Sequence, residues 1–261
     1  MDLISKKCVA VSLLGALLIG CTSSPTGRNQ VILFSSDEMS QLGVQSFEQL
    51  KKQEKISTDK ALNHYVQCVA KTITDHVPKQ PDFSSWEVVL FDSDQVNAFA
   101  LPGGKIGVYT GLLNVAKNQD QLATVIGHEV AHVLANHGNE RMSHGQLADI
   151  GLKISSIAIE GSEYHDTAMG ALGLGVQYGV MLPYGRSQES EADILGLELM
   201  AKSGFDPYQS VELWKNMAKQ SKSQPPELLS THPSNRTRID DLSAGIVKLN
   251  TYQGQTPTCS K

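Results

Sequence analysis

The spacing of apolar positions changes period several times along the chain, and each change marks an element. Met39, Leu42, Phe47 and Leu50 recur at near-helical spacing behind Ser36, a capping residue followed by Asp37 and Glu38. This predicts a helix from Ser36 to near Glu54. A second helix opens near Thr58-Asp59, carries Leu62, Tyr65, Val66, Val69 and Ile73, and ends before Pro78. Between Trp86 and Tyr109 the period shortens to that of strands, over Trp86 to Phe91 and Lys105 to Tyr109. Asn97 to Leu101 lies between them and runs into Pro102-Gly103-Gly104, which suits a tight turn, so a small, largely antiparallel sheet is expected. Leu122, Val125, Ile126, Val130, Val133 and Leu134 then define an amphipathic helix from Asp120 to Asn136. Asp120 is its expected cap and Gly138 lies just past its end.

The next stretch is harder to read. Thr167 to Leu182 is apolar except for Thr167, Gln177 and Tyr178, but its sixteen residues are short for a membrane span and include four glycines. Buried or lid helices are expected there, with membrane insertion as the alternative. Another helix runs from Ser187 to Ser203 and stops at Gly204. Asp206-Pro207 opens the last clear helix, with Val211, Leu213, Trp214 and Met217 on its apolar side.

The N-terminus differs from everything after it. Lys6 and Lys7 precede an uncharged apolar run from Val9 to Ile19, the form of an export signal. The run closes on Leu18-Ile19-Gly20-Cys21, similar to the bacterial lipoprotein cleavage box, in which the cysteine receives lipid. A plain signal peptide or an anchor helix is the alternative. Thr22 after the cysteine points, by resemblance to enterobacterial sorting, to the outer membrane. Residues 21–35 then read as a Ser/Thr/Pro/Gly-rich tether. Without residues 1–20 the chain carries 20 Lys and Arg against 26 Asp and Glu, a net charge of −6, which argues against nucleic acid as a partner. Cys8 would leave with the signal and Cys21 would be lipidated, so Cys68 and Cys259 remain as a disulfide candidate, or as two thiols.

The chemistry-bearing pattern is His128-Glu129-Val130-Ala131-His132. Two histidines four apart on one helix share a face and can grip one metal ion, while Glu129, about 100° round the axis, can flank the ion as a base. Val125, Ile126, Val130 and Val133 place this charged group among core-type residues, where it is unfavourable unless compensated. Zinc is the natural compensation, and a catalytic zinc needs a third protein ligand and an open fourth position. The metzincin extension fails, because the required positions hold Ala135 and Gly138. His137 lies about 140° round the helix from His132 and is expected to be structural or solvated. In Ser187 to Asp193, Glu189 and Asp193 share a helical face: Glu189 can supply the oxygen ligand, and Asp193 can fix the tautomer of a ligating histidine. Glu191 is expected to be solvated.

Taken with Asn97-Ala98-Phe99-Ala100-x-Pro-Gly-Gly and Glu189-x-x-Ala192-Asp193, the motif resembles the HtpX and CAAX-prenyl-protease family of gluzincin metallopeptidases. Within that family it is most similar to the soluble periplasmic lipoprotein branch, over residues 29 to 245. The resemblance implies one Zn2+ per chain on His128, His132 and Glu189, Glu129 as general base and Asp193 behind the ligands. It implies an α+β, mainly helical zincin-type domain over residues 36–250 with a small antiparallel-rich sheet, preceded by the signal and tether and followed by a tail over 251–261. It also draws His232 of Thr231-His232-Pro233 towards the metal, either to steady the oxyanion or to cap zinc at rest, with Arg238 as a further oxyanion donor and Arg236 its competitor. Asn97, Ala98, Phe99 and Ala100 are candidates for a substrate-pairing edge strand, or for a core hairpin. Misfolded or stalled envelope proteins are the implied substrates. The multiple membrane spans and the helical-repeat domain of better-known relatives are not expected. A zinc-bound assembly factor without activity and a metal-free lipoprotein scaffold are the competing readings.

Overall fold

The computed structural model describes residues 21–158, 160–177, 182–220, 238–249 and 256–261. In chain order its elements are β1 (Cys21–Ser23), β2 (Asn29–Val31), α1 (Ser36–Gln53), α2 (Lys60–Thr74), β3 (Glu87–Phe91), β4 (Ala98–Leu101), β5 (Lys105–Tyr109), a 3-10 turn (Thr110–Asn114), α3 (Gln119–Leu134), α4 (His137–Ala158), α5 (His165–Val176), α6 (Leu182–Lys202), α7 (Tyr208–Gln220) and α8 (Arg238–Lys248). They fall into two compact units, residues 1–35 with 139–181 and residues 36–138 with 182–261.

The larger unit is built on α3. Asn118, not Asp120, caps it: the Asn118 Oδ1 accepts from the Gln121 N–H at 2.9 Å. Asp120 instead accepts from the Asp206 N–H at 2.9 Å, which fixes the chain where it enters α7. At the other end Asn136 takes a left-handed φ of 54°, the role expected of Gly138, and the chain turns directly into α4. Around α3 lie α2, α7 and, most extensively, α6. The core they enclose includes Val69, Ile73, Ile106, Leu122, Ile126, Met200 and Leu213, all fully buried. On α1 the buried stripe is Met39, Gly43 and Phe47, one turn apart, and Leu42 is left exposed beside it.

The sheet is mixed, in the order β3-β5-β4. β4 and β5 form the expected antiparallel hairpin, with Gly103 and Gly104 at φ 81° and 70° supplying the left-handed turn. Because that hairpin doubles β5 back between β4 and β3, β5 pairs with β3 in parallel. The strand alternation then splits β4 between two environments: Ala98 and Ala100 face the main core, whereas Phe99 and Leu101 join Phe47, Phe91 and Tyr109 in a small aromatic cluster.

The C-terminal segment is fastened to the same unit. Cys259 is joined to Cys68 of α2 with their Cα atoms 5.8 Å apart. Gln119 holds the tail from both sides, donating to the Pro257 carbonyl at 2.6 Å and accepting from the Cys259 N–H at 2.8 Å.

In the smaller unit the segment expected as a tether holds a short antiparallel ribbon, β1 with β2. Arg28 binds the fully buried Glu140 of α4 through both terminal nitrogens, at 2.6 and 2.7 Å, and Gln30 adds a third contact at 3.1 Å. That bidentate contact orders residues whose composition alone suggests a flexible linker. α5 departs from the expectation of burial, because none of its residues is buried. Among the described residues no helix is long and apolar enough to cross a membrane.

Candidate metal centre

The site forms where α3 crosses α6, and glycine sets the approach. A Cβ on Gly196 would sit 3.0 Å from the His128 nitrogen, and one on Gly127 would sit 3.1 Å from the Gly196 carbonyl oxygen. Only hydrogens separate the two backbones there, so the carboxylates of α6 come within reach of the histidines of α3. Neither glycine stood out in the sequence. Each motif helix carries glycine, Gly127 in α3 and Gly185 and Gly196 in α6, which does not by itself reveal which of them meet.

His128, His132 and Glu189 are buried together, and each offers a ligand atom within 4.8 Å of the others. The two Nε2 atoms are 3.1 Å apart, His128 Nε2 is 3.3 Å from one Glu189 oxygen and His132 Nε2 is 3.4 Å from the other. A tetrahedral zinc with donors at about 2.0–2.1 Å requires them about 3.3 Å from one another, which is close to the spacing of these groups. Asp193 lies behind the first histidine, its Oδ1 3.0 Å from His128 Nδ1.

Arg238, the first residue of α8, closes the site from the far side. Its guanidinium lies 3.7 Å from the centre of the Trp214 ring, donates to Asp193 at 2.6 Å and reaches Glu189 at 3.4 Å. Both terminal nitrogens are thus turned onto carboxylates. Arg238 Nη2 and His128 Nδ1, 3.2 Å apart, are donors that converge on the same Asp193 oxygen. Burial and the Arg238 charge push the His128 pKa down, but the hydrogen bonds that the imidazolium donates to Asp193 and Glu189 outweigh them and raise it to about 9 in the protein alone. A positive charge is what these groups favour at that position, and a metal ion must displace the proton to bind.

Glu129 is buried at 4% exposure and lines a cavity with His128, Asp193, Leu197, Met200 and Trp214. It shares the wall of that cavity with His128, the first of the three donors. β4, which carries Ala98, Phe99 and Ala100, packs against α3 as an outer strand of its sheet. Asn97 precedes it, its carbonyl accepting from the Tyr109 N–H at 3.1 Å. With both faces of β4 covered, its backbone edge is what it can offer to another chain. Cys21 opens β1 in the smaller unit. His232 and Arg236 lie outside the described residues.

One expectation is overturned, and another, that His137 is structural or solvated, resolves to the first alternative. Glu191 is buried at 3% exposure, and its Oε2 lies 3.1 Å from His137 Nε2. His137, fully buried, places Nδ1 2.8 Å from His132 Nδ1. His137 stays outside the donor set, as its rotation from His132 suggests, but α3 does not continue past Asn136. The left-handed turn there folds the backbone back and returns His137 to the far side of His132.

A helix bearing His-Glu-x-x-His, with a glutamate from a second helix completing the donor set, defines a gluzincin-type metallopeptidase site. The chain belongs to peptidase family M48, whose family profile matches residues 58–246. It is 38% identical over 165 residues to the mitochondrial metalloendopeptidase OMA1 of Arabidopsis thaliana, covering 62% of this chain and 32% of that protein. It is 31% identical over 234 residues to metalloendopeptidase OMA1, mitochondrial, of Bos taurus, covering 84% and 45%. It is 27% identical over 253 residues to the beta-barrel assembly-enhancing protease of Escherichia coli K12, covering 90% and 51%. The chain thus spans about half the length of these curated relatives, or less.

Proposed function

We propose that this chain is a zinc-dependent metalloendopeptidase of the bacterial cell envelope that hydrolyses misfolded or stalled envelope proteins. The observation that carries the reading is a closely spaced His, His, Glu donor set whose first member, His128, shares a cavity with the buried Glu129, because a purely structural metal site has no use for a base. Zinc, when held by His128, His132 and Glu189, supplies the Lewis acidity that makes water a nucleophile at neutral pH. Glu129 accepts the proton of the attacking water and passes it to the leaving amine. Asp193 holds His128 through its Nδ1–H, and Arg238 holds Asp193 and Glu189 in place, a positioning role that its contacts favour over donation to an oxyanion. His232 remains the proposed oxyanion donor or resting-state cap. The outer edge of β4 takes the substrate backbone, which suits chains of varied sequence.

The envelope assignment rests on Lys6 to Cys21, with Cys21 as the proposed lipid attachment site, and kinship with periplasmic lipoproteins rests on the motifs. The deciding experiment compares wild type with Glu129→Gln on an unfolded protein substrate, with zinc measured in both. Cleavage by wild type alone, with equal zinc, is expected. Equal cleavage by both, or none by either despite bound zinc, sinks the reading. For localisation, wild type should fractionate with membranes and Cys21→Ala should not; retention of the variant overturns lipid anchoring.

A further inference from the structure

We infer that His137 and Glu191 form a positioning pair that dictates which nitrogen of His132 faces the metal. The inference rests on the zinc reading of the site but not on hydrolysis.

Glu191 Oε2 is an acceptor, so the nitrogen 3.1 Å from it, His137 Nε2, carries hydrogen. When the His137 ring is neutral, its lone pair is then on Nδ1. Two ring nitrogens 2.8 Å apart hold one hydrogen between them, so His132 Nδ1 must be the donor in that contact. The remaining nitrogen of His132, Nε2, is left with its lone pair, and it is the atom that faces His128 Nε2 at 3.1 Å and Glu189 at 3.4 Å. The pair therefore presents His132 in the tautomer that a metal requires, and fixes the ring's rotation.

The arrangement parallels the support of His128. There the carboxylate acts directly, Asp193 on Nδ1 at 3.0 Å; for His132 it acts through one imidazole. Both carboxylates come from α6, so the helix that supplies Glu189 also orients both histidines of α3. A purely structural account makes His137 and Glu191 a buried tie between the start of α4 and α6. That account predicts a loss of stability and no effect on the metal.

The test uses the full chain, stripped and reloaded with zinc, and measures zinc affinity by chelator competition beside the thermal melting of the stripped protein. His137→Phe removes both nitrogens, and zinc should bind about ten- to a hundredfold more weakly. His137→Gln keeps an acceptor and a donor at comparable spacing and should restore most of that affinity. Glu191→Leu should weaken zinc in the same direction as His137→Phe. Folded His137→Phe or Glu191→Leu chains that bind zinc as tightly as wild type would falsify the inference, as would His137→Gln binding no better than the phenylalanine variant. If His137→Phe does not fold, the affinities of the other two variants decide. A wild-type chain that binds no zinc overturns the metal reading itself and so is distinct from failure of the pair.

Discussion

α5 and α6 follow one another in the chain and reverse the usual link between composition and burial. α5 reads Ala-Met-Gly-Ala-Leu-Gly-Leu-Gly-Val through most of its length, yet none of its residues is buried, and Leu172 and Leu174 are exposed. α6 carries Glu189, Glu191 and Asp193 in two turns, yet Gln188, Glu189 and Glu191 are buried along with its Ala192 and Met200. Hydropathy describes what a residue would gain from burial, whereas partners decide which surface is covered. α6 is buried because α3 accepts it at a glycine crossing and because His128, His137 and Arg238 satisfy its acids.

Substitutions along these helices test that contrast. The largest effect is expected at Glu189: its change to Ala should weaken zinc binding by more than the about 100-fold that loss of an outer partner causes, as measured by chelator competition. Retained affinity would remove α6 from the metal site. Met200→Ala empties a fully buried position of α6 and should lower stability by about 2–5 kcal/mol in denaturant titration. Reducing the Cys68–Cys259 link, or replacing both by Ser, should lower stability by about 2–5 kcal/mol. Unchanged gel mobility with and without reductant, with two titratable thiols, would count against the bridge. Gly196→Ala forces α6 from α3 and should destabilise by about 1–3 kcal/mol while also weakening zinc, since the added methyl meets backbone rather than a flexible side chain. Leu174→Ser on α5 should be nearly silent, within about 0.5 kcal/mol. A large loss there would mean that its apolar face is covered after all, and the contrast would fall.

Much of the larger unit was legible because its signals are local. The stripe on α2, the Asp59 cap that accepts from Leu62, and the hairpin turn at Gly103-Gly104 each sit within a few residues of what they specify. The parallel pairing of β3 with β5 was not legible, since both orders give the same alternation and only the position of the hairpin distinguishes them. Reading residues 21–35 as a tether failed to foresee β1 and β2 for a similar reason: the stabilising partner of Arg28 is Glu140, far away in sequence. Leu42 shows the limit even within one helix, where an apolar residue one position from the stripe faces solvent.

The sequence by itself determined that His128 and His132 share a helical face with Glu129 beside them, and that Glu189 and Asp193 share another. The helical period is a property of the backbone and needs no partner. Only the tertiary structure decided that the two faces meet, that Arg238 holds the acids, and that His137 and Glu191 stand behind His132. Those contacts depend on a left-handed residue at Asn136 and on the missing side chains of Gly127 and Gly196, whose effect is to bring distant segments within hydrogen-bonding range.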